Sequence, residues 1–227
     1  MSIEVNSGEK KTSHWLDGKG VAKQNIVMGR HLAYWLNHSP RRMLHSMAYY
    51  KFAAKMIGGG KGVLDIGCGE GLGTWLLFKE CGAACGIDLD QNAIGRAQQN
   101  WGGSVDFVCG DLFETMSLSE RYDAIVLFDV IEHIMPDHVN KFYDAIQRLL
   151  KPHGVVIMGT PNSTAAKYAS AITNAGHVNL YTGERLEEEM RQIFKHVFMF
   201  GANDEVVHTG FMPMAHYLIC VACGKTT

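Results

Sequence analysis

A glycine-rich turn is the first segment whose residue types indicate chemistry. Residues 62–71 read GVLDIGCGEG, so an apolar run ends in glycines at 67, 69 and 71. Glycine has no Cβ and lets the backbone approach a ligand closely, and the free N–H groups at the start of a following helix can bind polar groups. The pattern therefore predicts a nucleoside-type ligand over this turn.

Two phosphate-binding motifs do not fit this turn. A P-loop needs Gly-Lys five residues after a glycine of the turn, where the chain has Leu72 or Thr74. A dinucleotide fingerprint needs glycine at one of these two positions, and Asp65 would repel a pyrophosphate. The turn therefore favours a ligand without phosphate.

Acidic residues after the next two strands indicate which ligand this is. S-adenosylmethionine joins an adenosine to an amino acid through a sulfonium cation, and carboxylates attract a cation. Asp88 lies 23 residues after Asp65, at the end of the second predicted strand, where acidic residues bind ribose hydroxyls in doubly wound folds. Asp111 follows the third strand and is placed to accept from the adenine amino group, while Leu89 and Leu112 offer apolar faces to the purine. We therefore predict S-adenosylmethionine as the cofactor.

The predicted cofactor-binding set combines the turn with residues that follow strands two, three and four. It consists of Asp65, Gly67, Cys68, Gly69, Asp88, Leu89, Asp111, Leu112 and Phe128. Cys68 is interpreted as a small packing residue and not as a nucleophile. No metal site is predicted, because the CxxC of Cys220 and Cys223 lies in an apolar segment without a second pair or a histidine at finger-like spacing.

Strands and helices alternate around these residues. The sequence predicts strands at 62–66, 83–88, 105–109, 124–130 and 155–158, and helices at 74–81, 91–100 and 139–149. Such alternation is typical of a parallel sheet covered by helices. Two further apolar segments, 197–200 and 217–222, predict a terminal strand pair.

These motifs resemble those of the class I S-adenosylmethionine-dependent methyltransferases. Residues 64–71 (LDIGCGEG) and 86–90 (GIDLD) carry the resemblance, which extends over roughly residues 45–195. Residues 128–134 (FDVIEHI) and 150–154 (LKPHG) are similar to the ubiquinone-type small-molecule O-methyltransferases. The resemblance implies an α/β, doubly wound, Rossmann-like sheet of seven strands in the order 3-2-1-4-5-7-6, with strand 7 antiparallel.

His133 and His177 are the candidate catalytic residues. His133 follows the fourth strand, where open α/β sheets bind ligands, and neighbouring Glu132 can orient its ring. His177 lies in the connection 163–182, which is long for a compact domain and is therefore a candidate binding loop. Either histidine can take the proton of a hydroxyl that accepts a methyl group. The alternative is that Glu132 and His133 cap the next turn.

Length and charge set the outer limits. The 227 residues suit one domain, which we divide into an N-terminal helical extension and cap at 1–57 and a methyltransferase domain at 58–227. A net charge of -2 disfavours a nucleic-acid partner. Because the chain shows neither an apolar run of ~20 residues nor a secretory leader, we expect a soluble, cytoplasmic protein without a membrane span.

The predicted function is methyl transfer from S-adenosylmethionine to a small-molecule acceptor, with S-adenosylhomocysteine as product. A hydroxyl of a sugar, phenol, quinone precursor or natural product is favoured, because residues 128–131 (FDVI) lack the two prolines typical of enzymes that methylate base amines. The alternatives are N- or carboxyl-methylation of a small metabolite, or a non-catalytic binding protein. The N-terminal helices, 163–182 and 202–215 are expected to form the acceptor pocket, with Trp15 and Phe211 in an apolar lid.

Overall fold

The structure is a computed structural model, and it describes residues 25–114, 121–168 and 176–226. The helices within these ranges are α1 (Arg30–His38), α2 (Pro40–Ile57), α3 (Leu72–Cys81), α4 (Gln91–Trp101), α5 (Val139–Leu149) and α6 (Gly183–Ile193). The strands are β1 (Lys61–Ile66), β2 (Gly82–Asp88), β3 (Asp106–Cys109), β4 (Tyr122–Phe128), β5 (Leu150–Pro161), β6 (Phe194–Ala202), β7 (Val207–His208) and β8 (Tyr217–Lys225).

One mixed sheet organises the described residues, in the order β3-β2-β1-β4-β5-β8-β6-β7. Strands β1 to β5 run parallel to one another, while β8 is antiparallel to both β5 and β6. The expected order and the antiparallel terminal strand are therefore present. The expected count of seven strands is wrong, because the chain folds back after β6 and the short strand β7 pairs with Gly201 and Ala202.

Apolar faces on both sides of the sheet fix its position. On one side, α5 packs Phe142 and Ile146 against Ile125 and Leu127 of β4. On the other side, α2 and α3 pack residues such as Ala53 and Leu77 against Val126 and Ile157. Close packing of this kind resists displacement of single elements. The carboxyl ends of β1, β2 and β4 are therefore held together at one rigid edge, where the predicted site residues lie.

No helix in the described ranges is long and apolar enough to cross a bilayer. Helices α1 and α2 instead lie beside this edge of the sheet, next to the glycine-rich turn. Ser39 separates α1 from α2, and Pro40 occupies the first turn of α2, where its missing N–H costs no hydrogen bond. Trp15 of the predicted lid and the first 24 residues lie outside the described ranges.

Candidate active site

The glycine-rich turn connects β1 to α3 and is tied to the neighbouring strand. The backbone N–H groups of Gly67 and Cys68 donate to the carbonyl oxygen of Ile87, at 2.8 and 3.1 Å. Gly67 and Gly69 have φ values of 72° and 53°, in the left-handed region that disfavours residues with a Cβ. A Cβ on Gly67 would lie 2.5 Å from Cγ2 of Val130, whereas one on Gly69 would point into open space. The turn therefore leaves its backbone at Gly69 open to a ligand.

Asp88 is held rigidly beside this turn. One carboxylate oxygen accepts from the N–H of Gly69 at 2.8 Å, and the other accepts from the N–H of Asp90 at 2.9 Å. Each carboxylate oxygen can accept a second hydrogen bond, so both remain able to receive a hydroxyl donor. Its position at the end of β2 fits the predicted contact with ribose hydroxyls.

A cavity of about 350 Å³ lies over the turn, and we call it the larger cavity because it is the larger of two adjoining cavities at this site. Gly67, Cys68, Gly69, Asp88 and Phe128 of the predicted cofactor-binding set line it, as does the candidate catalytic residue His133. Helices α1 and α2 form the facing wall with His31, Leu32, Trp35, Arg42, Met43, Ser46, Met47 and Tyr50. Burial raises the pKa of the Cys68 thiol well above its usual range, which agrees with the interpretation of Cys68 as a packing residue.

The charged side chains that line the larger cavity indicate which ligand it can bind. Four carboxylates line the larger cavity, from Glu70, Asp88, Asp90 and Asp129, against the single guanidinium of Arg42. A phosphate would meet net repulsion there, whereas a sulfonium cation would be attracted. Together with the open backbone at Gly69, this set of charged groups fits S-adenosylmethionine.

Four predicted cofactor residues do not line the larger cavity. Asp65 is fully buried behind the turn, where it accepts hydrogen bonds from the hydroxyls of Tyr50 at 3.1 Å and Thr74 at 2.6 Å. Burial raises the pKa of Asp65 to about 7, although these two hydrogen bonds lower it. Leu89 is 72% exposed, while Leu112 is buried in the core. Asp111 accepts from the N–H of Phe113 at 2.8 Å, and the contacts of these residues with an adenine stay predictions.

Asp129 is a site residue that the sequence analysis missed. It directly follows β4 and is the sole non-glycine residue in the described ranges with a positive φ, at 57°. Left-handed backbone in such a residue costs on the order of 1 kcal/mol and is found most often where function requires it. The signal in the sequence was its place inside the segment 128–134, but an aspartate alone does not reveal its φ.

A second cavity of about 170 Å³ adjoins the first, and we call it the smaller cavity. Both cavities share Arg42, Ser46, Phe128 and Asp129. Aromatic rings form much of the remaining wall, since Tyr49 stacks on Tyr217 with centroids 4.8 Å apart. His45, Pro161 and His177 complete the lining. Phe211 and the rest of the loop 202–215 do not take part in either lining within the described residues.

The two candidate catalytic histidines lie on opposite sides of the shared wall. His133 lines the larger cavity and His177 the smaller, and their ring centroids are 5.2 Å apart. Nδ1 of His133 lies 2.8 Å from the carbonyl oxygen of Gly176. Because a carbonyl can only accept, Nδ1 donates and Nε2 of a neutral ring is left to take a proton. Burial, with a smaller effect of His133, lowers the pKa of His177 and favours its neutral form.

We expected Glu132 to orient the ring of His133. In the structure the carbonyl oxygen of Gly176 orients this ring instead. The side chain of Glu132 does not cap the next turn either. Instead, its carboxylate is fully buried and accepts from the Thr160 hydroxyl at 3.0 Å. Its backbone oxygen accepts from the N–H groups of Val178 at 2.9 Å and Asn179 at 3.1 Å, which holds the His177 segment beside β4.

The same carboxylate also belongs to a cluster that could hold a metal ion. Glu132, His133 and His177 each place one ligand atom within 4.8 Å of the others. Oε1 of Glu132 has no hydrogen-bond partner among the described residues, and burial raises the pKa of this carboxyl to about 8. The prediction that the protein has no metal site stays a prediction.

Comparison with solved structures supports the fold. A SAM-dependent methyltransferase from Archaeoglobus fulgidus superposes with a TM-score of 0.66 at 18% identity, covering 86% of this chain and 99% of that chain. The 1,6-didemethyltoxoflavin-N1-methyltransferase of Burkholderia thailandensis superposes with a TM-score of 0.64 at 16% identity, covering 100% of this chain and 94% of that chain. The latter structure holds 1,6-didemethyltoxoflavin and S-adenosylhomocysteine.

Sequence comparison finds similarity to methyltransferases. The profile of the family described as "Methyltransferase domain" matches residues 63–154, which contain the glycine-rich turn, Asp88 and His133. Ubiquinone biosynthesis O-methyltransferases of Bradyrhizobium diazoefficiens and Methylococcus capsulatus are 28% and 29% identical to the chain. These comparisons support a class I S-adenosylmethionine-dependent methyltransferase. Within this family it resembles the ubiquinone-type subgroup, as the sequence analysis expected.

The extent of these matches differs between relatives. Each of the two ubiquinone-type alignments covers 78% of this methyltransferase, and 68% and 70% of the respective relative. A probable S-adenosylmethionine-dependent methyltransferase of Mycolicibacterium smegmatis is 29% identical, but the alignment covers 63% of this chain and 48% of that relative. The comparisons thus support an enzyme, an S-adenosylmethionine-dependent methyltransferase whose cofactor supplies a methyl group bound to a sulfonium.

Proposed function

We propose that this methyltransferase transfers the methyl group of S-adenosylmethionine to a hydroxyl group of a small acceptor bound in the smaller cavity. One observation carries the proposal: the two cavities meet at a shared wall formed by Arg42, Ser46, Phe128 and Asp129. A direct displacement needs donor and acceptor held in line, and adjoining sites meet this requirement. The ubiquinone biosynthesis O-methyltransferases among the relatives favour oxygen as the acceptor atom.

The smaller cavity favours a ring-shaped acceptor. A cavity of ~150 Å³ can hold a benzene-sized ligand, and this one measures about 170 Å³. Tyr49, Phe128 and Tyr217 give it aromatic walls, against which a planar ring packs well. A phenol or quinone precursor therefore suits it best among the acceptors that the sequence predicts. Apolar walls also exclude water that would compete for the methyl group.

His133 and His177 are proposed to manage the acceptor proton. The hydrogen bond of Nδ1 to the Gly176 carbonyl leaves Nε2 of a neutral His133 ring free to accept a proton, and burial lowers the pKa of His177. As the oxygen gains a bond to carbon, its proton passes to one of these nitrogens, which makes that histidine the general base. The carboxylate of Asp129 lines both cavities and is placed to accept a hydrogen bond from the acceptor hydroxyl.

A divalent cation at Glu132, His133 and His177 is the second candidate role of this cluster. The unpartnered Oε1 of Glu132 favours it, because a buried carboxylate oxygen without a partner is costly and a cation would satisfy it. In that case the cation would lower the pKa of the acceptor hydroxyl, and the histidines would be ligands instead of bases.

Residues 1–57 are proposed as a cap over the domain formed by 58–227. The part of this extension that the structure describes supports the proposal, because α1 and α2 supply the facing wall of the larger cavity and part of the smaller one. A cover of this kind excludes water from the reacting atoms.

Turnover with isotopically labelled S-adenosylmethionine and a library of phenols, catechols, sugars, amines and carboxylates tests the proposed function. We expect a labelled ether product from a phenolic acceptor, identified by mass spectrometry. Labelled amines or esters would instead support N- or carboxyl-methylation. Repeating the reaction with a chelator separates the two roles of the cluster, because a base mechanism survives chelation and a cation mechanism does not.

A further inference from the structure

Glu70 lies inside the glycine-rich turn but its carboxylate reaches the start of α1. Oε2 accepts from the N–H of Gly29 at 2.6 Å, and Oε1 accepts from those of His31 at 2.7 Å and Leu32 at 3.2 Å. The first turn of a helix leaves its N–H groups without partners and favours negative charge. Gly29 has no side chain to cap α1, so a carboxylate 41 residues away in the sequence supplies the cap.

These contacts anchor a helix that has little other support. None of the residues of α1 is buried, so packing alone holds it weakly. The side chain of Asn100 accepts from the N–H of Val27 and donates to its carbonyl oxygen, both at 3.0 Å. The Trp101 indole donates to the backbone oxygen of Glu70 at 3.3 Å. The segment before α1 and its first turn are thus fixed to the turn and to α4.

The position of α1 determines whether the larger cavity has an outer wall. His31, Leu32 and Trp35 of α1 line this cavity. The Trp35 ring also lies 5.0 Å from the Arg42 guanidinium, which in turn lies 3.8 Å from the Asp129 carboxylate at the shared wall. A shift of α1 would therefore change both the larger cavity, where the methyl donor is placed, and the wall that the two cavities share.

We propose that Glu70 is a positioning residue that seats α1 as the outer wall of the larger cavity, so that cofactor binding and the seating of α1 stabilise each other. The proposal rests on the placement of the cofactor in the larger cavity. Gly69 and Glu70 are neighbours in the same turn. The backbone of Gly69 is open to the ligand, and the carboxylate of Glu70 caps α1. Coupling between two such events is reciprocal: the ligand must stabilise α1 as much as a seated α1 strengthens ligand binding.

A substitution at Gly29 can disrupt the hydrogen bonds between Glu70 and the start of α1 without changing Glu70 itself. A Cβ at this position would lie 2.6 to 2.8 Å from the carboxyl atoms of Glu70. Its φ of −83° is accessible to alanine without strain. G29A therefore displaces the carboxylate without removing its charge, whereas E70Q keeps the side-chain shape but offers one acceptor oxygen in place of two.

Hydrogen exchange of the α1 amides, with and without S-adenosylhomocysteine, tests the proposal in wild type, E70Q and G29A. In the wild type we expect the ligand to slow exchange in α1. Both variants should exchange faster in α1 without ligand, keep wild-type protection in β4 and β5, and bind S-adenosylhomocysteine about tenfold more weakly by calorimetry, within the usual range of coupling between sites. Exposed Glu188 and open Gly95 provide the matched controls E188Q and G95A, which should behave as wild type.

Wild-type ligand affinity in both variants, or α1 exchange that the ligand does not change, would overturn the coupling. If E70Q fails to fold, G29A alone decides. A wild type that binds no S-adenosylhomocysteine would contradict the cofactor placement, but the exchange of ligand-free variants would still report whether Glu70 seats α1. The two failures are therefore distinguishable.

Discussion

The imidazole of His133 meets that of His177 edge to face, with an angle of 76° between the rings. The contact joins residues 44 positions apart in the sequence, and each ring faces a different cavity. Backbone hydrogen bonds from Val178 and Asn179 to Glu132 hold the two segments together. A proton acceptor is thus available on both sides of the wall where donor and acceptor would meet.

Asparagine at either histidine position separates catalysis from cofactor binding. If one ring is the base, H133N or H177N should lower kcat by ~10² to 10⁴ at neutral pH, because general-base catalysis contributes in that range. Calorimetry should give unchanged affinity for S-adenosylhomocysteine. H153N, at an exposed position near the start of β5 and outside the lining of both cavities, is the control. Full turnover in both variants would contradict the base role, and loss that parallels loss of a bound cation would favour the metal role.

Much of the binding site for the methyl donor could be predicted from the sequence, because its residues belong to local sequence patterns. Glycines 67 and 69 and Asp88 follow successive parallel strands, and right-handed crossovers bring the ends of such strands to one edge. The strand β7 could not be predicted, because two residues are too few to show an alternating pattern.

The missed residues depend on properties that local sequence does not encode. Glu70 acts on backbone N–H groups about 40 residues away, which carry no side-chain signal. The left-handed φ of Asp129 is a backbone conformation that its residue type alone does not specify. Asp65 is the opposite case. Its residue type suggested a ligand contact, but the fold buries it beneath the turn with Tyr50 and Thr74.

Alanine at position 88 should weaken cofactor binding. D88A removes an acceptor that we assign to the ribose hydroxyls, and hydrogen bonds to charged groups contribute ~1.5 to 3 kcal/mol. The affinity for S-adenosylhomocysteine should therefore fall at least tenfold. D88N keeps one acceptor oxygen for the N–H groups of Gly69 or Asp90 and should lose less. The exposed Asp137 provides the control D137N, and wild-type affinity of D88A would refute the assignment.

Asp65 should make stability depend on pH. The pKa of Asp65 is raised to about 7 in the folded chain, mainly by burial, against ~3.9 for an unfolded aspartate. Between these values the folded state binds more protons than the unfolded state, so stability falls as pH rises and levels off above pH 7. Relative to D65N, the wild type should lose roughly 1 to 3 kcal/mol between pH 5 and pH 7 in urea unfolding. D106N, at an exposed strand position, should run parallel to the wild type.

Substitutions at Asp129 separate backbone strain from the role of the carboxylate. Glycine and asparagine tolerate the φ of 57°, whereas alanine does not. We therefore expect D129A to be less stable than D129G or D129N by about 1 kcal/mol in urea unfolding. Methyl transfer should fall in all three variants, because each lacks the charge at the shared wall, and D129N should keep wild-type affinity for S-adenosylhomocysteine. Equal stability of D129A and D129G would argue against the left-handed backbone, and full activity of D129N would remove Asp129 from the reaction.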